Sequence, residues 1–174
     1  MVDLALLQSV SYIAGALGVF LGAVYYINNM RYTLKTREVD LCRIFVSELT
    51  SESGVECFST ALGMKWDNLE EFQEKYGPGS PEYSRWASQF LKYESMAYLI
   101  KKKIVKPETI YDLGMTGAIP FWEKFKDVIE ARRKVAGRDF FSNTEFLASE
   151  MLKVKLQRDP SYDLDSYARL LKIR

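Results

Sequence analysis

The chain opens on a long run of residues that carry no charge. Between Leu4 and Ile27 there is no Asp, Glu, Lys or Arg, and the few polar side chains lie near its beginning. As an α-helix, a run of this length extends about 36 Å, which exceeds the roughly 30 Å thickness of the hydrocarbon core of a bilayer. The pattern therefore predicts a transmembrane helix over residues 4–28.

Two other structures share this apolar pattern. A secretory signal peptide has a basic segment before its apolar core, whereas this chain has only the acidic Asp3 there. A helix buried in a soluble core is the second alternative, but the glycines at positions 15, 18 and 22 each lower helix propensity in water by roughly 1 kcal/mol. In lipid no water competes for the backbone hydrogen bonds, so the glycines weigh less against a membrane helix.

The charges at the two ends of the run predict its orientation. Only Asp3 precedes the run, whereas several basic residues follow it before the next acidic residue, Glu38. Positive residues are retained on the cytoplasmic side, so we expect a single-pass protein of the cell membrane with its N-terminus outside and its C-terminal domain in the cytoplasm. Tyrosines also favour the membrane interface. The residues predicted to lie at this interface are Tyr25, Tyr26, Arg31, Lys35 and Arg37.

Small residues recur at every fourth position within the run. Ala14, Gly18 and Gly22 would lie on one face of a helix and let a second helix approach closely. This spacing suggests a homodimer formed through the transmembrane helix. The alternative is that small residues are simply common in membrane helices.

The sequence pattern of the remaining residues predicts α-helices. Sustained alternation of apolar and polar residues, typical of half-buried strands, is missing, whereas helix start and stop signals are frequent. We therefore predict an all-α protein with one N-terminal transmembrane helix followed by a compact multi-helix cytoplasmic domain over residues 31–158 and a C-terminal tail over 159–174. The expected helices run from the membrane to about Thr50, within 55–62, from Asp67 to Tyr76, from Ser80 to Ile104, from Pro107 to Gly114, from Ala118 to Ala136, from Ser142 to Asp159 and from Leu164 to Ile173.

Local signals define several of these helices. Asp67 with Glu70, and Ser142 with Glu145, have the spacing of capping boxes. After Ser80 and Pro81, apolar residues recur at spacings of three and four, which predicts one continuous buried face. That face comprises Trp86, Phe90, Tyr93, Ala97, Ile100 and Ile104.

Composition excludes several classes of function. The chain has 24 Lys and Arg residues against 23 Asp and Glu, so its net charge of +1 indicates no nucleic-acid partner. It contains no histidine, which removes the imidazole general base and most catalytic zinc ligand sets. Phosphate-binding glycine motifs are also missing. We therefore predict no metal site and no cofactor, and the sequence gives no basis for naming an enzymatic activity.

One acidic and one basic residue lie beside the predicted buried faces. Glu94 follows Phe90 by one helical turn, and Arg132 extends the apolar face of the helix over 118–136. A charge in such a position costs several kcal/mol unless it is paired, so we expect Glu94 to bond to Arg132, or to Arg133, between packed helices. The alternative is a ligand pocket around that pair. Its candidate lining residues are Tyr93, Tyr98, Tyr111 and Trp122.

The order of these features resembles a known family. An N-terminal apolar span is followed by aromatic anchors at helical spacing: Trp66-Asp67, Phe72, Tyr76-Gly77, Tyr93-Glu94, Tyr111-Asp112-Leu113, Trp122, Arg132 and Glu145-x-Leu147. Together they resemble a domain-of-unknown-function family of small prokaryotic membrane-anchored helical proteins, over roughly residues 5–158. The resemblance implies a helical fold and a membrane location but no activity.

These patterns lead to one functional expectation and one alternative. We expect an interaction or scaffold protein that holds a protein partner, or a second copy of itself, at the lipid bilayer. The alternative is a membrane-tethered sensor or enzyme with a small-molecule pocket around Glu94.

Overall fold

The computed structural model describes residues 4–170, and over that range it contains α-helices and no β-strand. The predicted all-α class, with a long apolar N-terminal helix followed by a helical domain, is confirmed. The sequence predicts that the last helix ends at Ile173, and the final residues of that helix lie outside the described range. The helices are α1 (Leu4–Thr50), α2 (Glu52–Gly63), α3 (Leu69–Tyr76), α4 (Pro81–Lys101), α5 (Pro107–Asp112), α6 (Ala118–Ala136), α7 (Ser142–Arg158) and α8 (Leu164–Leu170).

The chain divides between Leu41 and Cys42 into two compact units. In the first unit, the described residues all belong to α1. This helix is long and apolar enough to cross a membrane, and none of its most apolar 18-residue window is buried. The absence of burial goes against the alternative of a core helix in a soluble protein.

The second unit is built around packed aromatic rings. Helix α4 packs against α2 and α7, and α6 packs against α7. The rings of Trp86 and Phe125 stack with their centroids 5.8 Å apart, and Phe90 and Phe121 meet edge to face at 4.8 Å. All four side chains are completely buried, as is Phe72. Rings of this size bury large apolar areas, so this cluster supplies much of the stability of the unit.

The predicted buried face of α4 is present but shorter than expected. Trp86, Phe90, Tyr93, Ala97 and Ile100 are buried, as predicted. The extension to Ile104 is wrong, because α4 ends at Lys101 and Lys103 has a positive φ of 56°. The chain direction changes there, so Ile104 is exposed and its neighbour Val105 takes the buried position instead.

The two predicted capping boxes also differ from the structure. Helix α3 starts one residue later than expected: the Asn68 side chain accepts a hydrogen bond from the Glu71 amide at 2.9 Å, and Glu71 accepts one from the Asp67 amide at 2.6 Å. Helix α7 has no side-chain cap of its own, because Phe141 precedes it in the left-handed region with φ 50°. Helix α4 begins as predicted, with the Ser80 hydroxyl bonded to the Tyr83 amide.

Candidate functional site

The predicted membrane-interface residues all lie on α1 and are exposed. Tyr25 and Tyr26 are 73% and 63% exposed, and Arg31, Lys35 and Arg37 follow them on the same helix. The small residues predicted to mediate association are also exposed. A Cβ atom added at Gly18 or Gly22 would meet nothing within 4 Å, so the surface along this stripe is open.

Glu94 bonds to a helix start and not to an arginine. Its Oε1 atom accepts hydrogen bonds from the Thr144 amide at 2.5 Å and from the Thr144 hydroxyl at 2.9 Å. Thr144 is the third residue of α7, so its amide is one of the donors that a helix leaves without an intrahelical partner. Glu94 of α4 therefore supplies the cap that the sequence of α7 lacks.

The predicted pairing of Glu94 with an arginine is therefore wrong. Within residues 4–170, no ion pair joins Glu94 to Arg132 or Arg133. The Arg132 guanidinium lies 5.1 Å from the ring of Trp86, where the negative face of the ring attracts it. Arg133 instead pairs with Glu145 at 2.7 Å. Sequence spacing placed these residues near helix contacts, but it did not show which partner each one faces.

The residues predicted to line one pocket around Glu94 lie in separate parts of the domain. Tyr93 lines one recess, Tyr111 lines a second beside α8, and Trp122 lines a third between α6 and α7. Tyr98 is 52% exposed and lines none of these three. The prediction of one pocket lined by all four aromatic residues is therefore wrong, because the packing of the helices places them in different parts of the domain.

The recess that Tyr93 lines does not include Glu94. It has a volume of about 180 Å³ and is partly open to solvent. Its walls come from the end of α1, from α2, from α4 and from the loop between α5 and α6. The principal lining residues are Leu49, Phe58, Gln89, Tyr93, Leu113 and Met115. No lining residue carries a charge.

Two polar side chains of α4 are among the residues that line this mainly apolar recess, and both are almost completely buried. Gln89 is only 1% exposed, and its Oε1 atom has no hydrogen-bond partner. Tyr93 is 2% exposed, and burial raises the pKa of its phenol well above the usual value. A hydrogen bond with the Gln89 side chain lowers that pKa by a smaller amount. The phenol is therefore neutral across the physiological pH range. The recess therefore has mainly apolar walls, and the residues that line it carry no charge.

Sequence reasoning did not identify Gln89 as a site residue. The available signal was its position, because Gln89 follows Trp86 by three residues and precedes Tyr93 by four, which puts an amide on the buried face of α4. A buried amide normally has its hydrogen bonds satisfied, so a glutamine at such a position marks either a polar contact or a binding site. The loop that closes the recess, around Met115, carries no comparable signal in the sequence.

The comparison with known proteins gives a family and nothing more specific. No curated protein and no solved structure matches the chain. The family described as "Domain of unknown function (DUF4760)" matches residues 13–151, from within α1 to the second half of α7. The match covers the aromatic core helices and most of the chain, and it bears out the expectation of a family of unknown function. The protein is a member of the DUF4760 family.

Proposed function

We propose that this protein is a single-pass membrane-anchored interaction module. Its N-terminal helix crosses the cell membrane with the N-terminus outside, and its helical domain lies in the cytoplasm. The observation that supports this proposal most directly is the uncharged first half of α1, in which every side chain over residues 4–27 is exposed.

The hydrophobic effect favours the membrane over water for this segment. Its exposed side chains include Leu17, Phe20 and Leu21, which are 56–64% exposed. Each side chain of this kind gains roughly 1.5–3 kcal/mol on leaving water, and many of them lie along the segment. A bilayer satisfies this preference without any partner protein, and the helix satisfies its own backbone hydrogen bonds.

The second copy of the chain is the partner that the helix surface suits best. Ala14, Gly18 and Gly22 form an open strip along which two helix backbones could approach closely and gain van der Waals contact. Such a dimer would bring two helical domains together at the membrane surface. We propose that holding these domains, and a protein bound to them, at the bilayer is the function of the chain.

Membrane anchoring is tested by a pair of charged substitutions. Replacing Leu17 and Leu21 together by Arg introduces two charges near the middle of the span, each costing about 3 kcal/mol for insertion. When membranes are washed at alkaline pH and sedimented, we expect this variant to be released into the supernatant. Leu34→Arg, whose substitution lies beyond the span, should stay in the membrane pellet. Equal retention of the two variants would contradict anchoring by this segment.

Orientation and self-association need separate measurements. In cells whose outer envelope has been permeabilised while the cytoplasmic membrane stays intact, added protease should leave the helical domain uncut. Detergent, which opens the cytoplasmic membrane, should make the domain accessible to the protease. Digestion before detergent addition would place the domain outside.

For self-association, Gly18→Leu should weaken energy transfer between labelled copies in a bilayer, whereas Val19→Leu adds bulk on another face and should not. Equal signals from both variants would contradict association through the stripe.

A further inference from the structure

The recess beside α8 is lined mainly by side chains that can donate hydrogen bonds. Its volume is about 130 Å³, which holds about four water-sized groups at roughly 30 Å³ each. Five of its six lining residues end in a hydroxyl or an ammonium group, and the sixth is Ile119. The five are Tyr111, Thr116, Lys155, Tyr162 and Tyr167. This α8 recess therefore has the size of a short organic acid or amide, well below a drug-sized site.

The polar groups of the α8 recess come from separate parts of the chain and lie close together. The Lys155 ammonium on α7 lies 5.1 Å from the ring centroid of Tyr162, which precedes α8. The ring centroids of Tyr162 and Tyr167 are 5.8 Å apart. Burial raises the pKa of the Tyr162 phenol, and the phenols of Tyr167 and Tyr111 raise it further because they lie near it. The donors therefore surround one space.

The protein itself leaves these donors available. Within residues 4–170, the four hydroxyls of the α8 recess take part in no side-chain hydrogen bond, and Lys155 forms no ion pair. Lys155 is half-buried, so its charge is screened less by water and salt than that of a fully exposed lysine. An anion in the recess would supply the missing counter-charge.

The acidic residues around the α8 recess do not supply that charge, because each has a partner of its own. They are Glu123 with Lys126, Asp112 with Arg158, and Asp163 with a hydroxyl and a backbone amide of α8. None of the three carboxylates lines the recess. Lys155 is therefore the only charged side chain among the described lining residues.

We infer that the α8 recess binds a small carboxylate with a short carbon chain. Its oxygens accept hydrogen bonds from the Lys155 ammonium and from the hydroxyls of Tyr162 and Tyr167, and its carbon chain lies against Ile119. Hydrogen bonds to a charged acceptor are roughly twice as strong as those between neutral groups, so the carboxylate is preferred over the corresponding amide. This site does not depend on the proposed membrane role.

Isoleucine methyl groups provide a direct probe of binding. Ile119 lines the recess, whereas Ile129 is completely buried in the core and does not. The full chain, in micelles of an uncharged detergent and with ¹³C-labelled isoleucine methyl groups, is titrated at constant ionic strength with butyrate and separately with butyramide, its uncharged isostere. We expect butyrate to shift the Ile119 signal and to bind at least tenfold more tightly than butyramide. Equal affinities, or an Ile119 signal that moves no more than that of Ile129, would overturn the inference.

Inorganic phosphate is titrated in parallel. It offers the same kind of acceptor oxygens but has no carbon chain to contact Ile119, so we expect weaker binding than for butyrate. Tighter binding of phosphate would show that the assignment to a carboxylate is wrong.

The charge is tested by Lys155→Gln, which keeps a long polar side chain without the ammonium. We expect the affinity for butyrate to fall about tenfold and that for butyramide to stay within about threefold. Lys134→Gln removes the same charge from an exposed position on α6 and should change neither. Because Ile119 also borders the recess lined by Trp122, this comparison shows which of the two recesses is occupied. Equal butyrate affinities in the two variants would exclude the α8 recess.

The hydroxyls are tested by replacing Tyr162 and Tyr167 together by Phe, which keeps both rings. Loss of two donors to a charged acceptor should weaken butyrate binding about tenfold. Replacing Tyr83 and Tyr98 by Phe removes the same number of hydroxyls from α4, outside the recess, and should leave the affinity unchanged. The same affinity in both double variants would contradict the role given to the phenols.

Discussion

Helix α7 depends on a carboxylate from α4 for its start, which makes Glu94→Ala an informative perturbation. The substitution removes the acceptor of two hydrogen bonds, from the Thr144 amide and hydroxyl, and Thr144 is completely buried. Loss of a helix cap costs about 0.5–2 kcal/mol, and a buried donor left unpaired costs about 1–3 kcal/mol. Since the two costs overlap at the same amide, we expect the free energy of unfolding to fall by about 2–3 kcal/mol.

Glu94→Gln separates the hydrogen bond from the charge. The amide oxygen can still accept from Thr144, but hydrogen bonds to a charged acceptor are roughly twice as strong as those to a neutral one. We therefore expect a loss of about 1 kcal/mol, clearly smaller than for Glu94→Ala. Glu74→Ala serves as the control, because Glu74 is an exposed acidic residue on α3, and it should change stability by less than about 0.5 kcal/mol.

The measurement is urea unfolding of the full chain in detergent, followed by tryptophan fluorescence. Trp66 and Trp86 both contact the aromatic core, so their emission reports on its loss. For a chain of this size, 2–3 kcal/mol corresponds to a Tm lower by about 4–12 °C. The reasoning is refuted if Glu94→Ala lies within about 0.5 kcal/mol of the wild type, or if Glu94→Gln is as destabilising as Glu94→Ala.

Three further predictions test other parts of the helical domain. Trp86→Ala should cost about 3–5 kcal/mol of unfolding free energy by calorimetry, because it leaves a cavity among buried rings and removes an indole hydrogen bond to a backbone carbonyl; a loss under 1 kcal/mol would contradict this packing. Gly77→Ala should lower Tm, because the added Cβ would lie 2.1 Å from a backbone carbonyl oxygen one turn earlier. Gly63→Ala is the control: its Cβ would meet nothing within 4 Å, and alanine favours the helix, so Tm should rise slightly. A higher Tm for Gly77→Ala than for Gly63→Ala would be inconsistent with the structure. The hydrogen bond from Arg158 lowers the pKa of the Asp112 carboxyl, so the pair is intact at neutral pH and is lost as the pH falls through that lowered value; Arg158→Gln should raise the pKa of Asp112 in an NMR titration, and an unchanged value would exclude the pairing in solution.

The sequence alone determined the class of the protein and most of its helices. An uncharged run such as 4–27 is long enough for a membrane-spanning helix, and spacings of three and four residues indicate buried helix faces. Helix α6 has the predicted bounds, and α4 begins at the predicted Ser80 and Pro81. These features are local, because they depend on residues within one or two turns of each other.

Only the tertiary structure decided which side chains meet. Glu94 was recognised as a polar residue on a helix contact, but its partner is the start of α7, fifty residues further along the chain. Gln89 became part of a recess because α2 and the loop around Met115 close over it. The partners of a side chain depend on how helices rotate and pack against each other, and the periodicity of each separate helix carries no information on that arrangement.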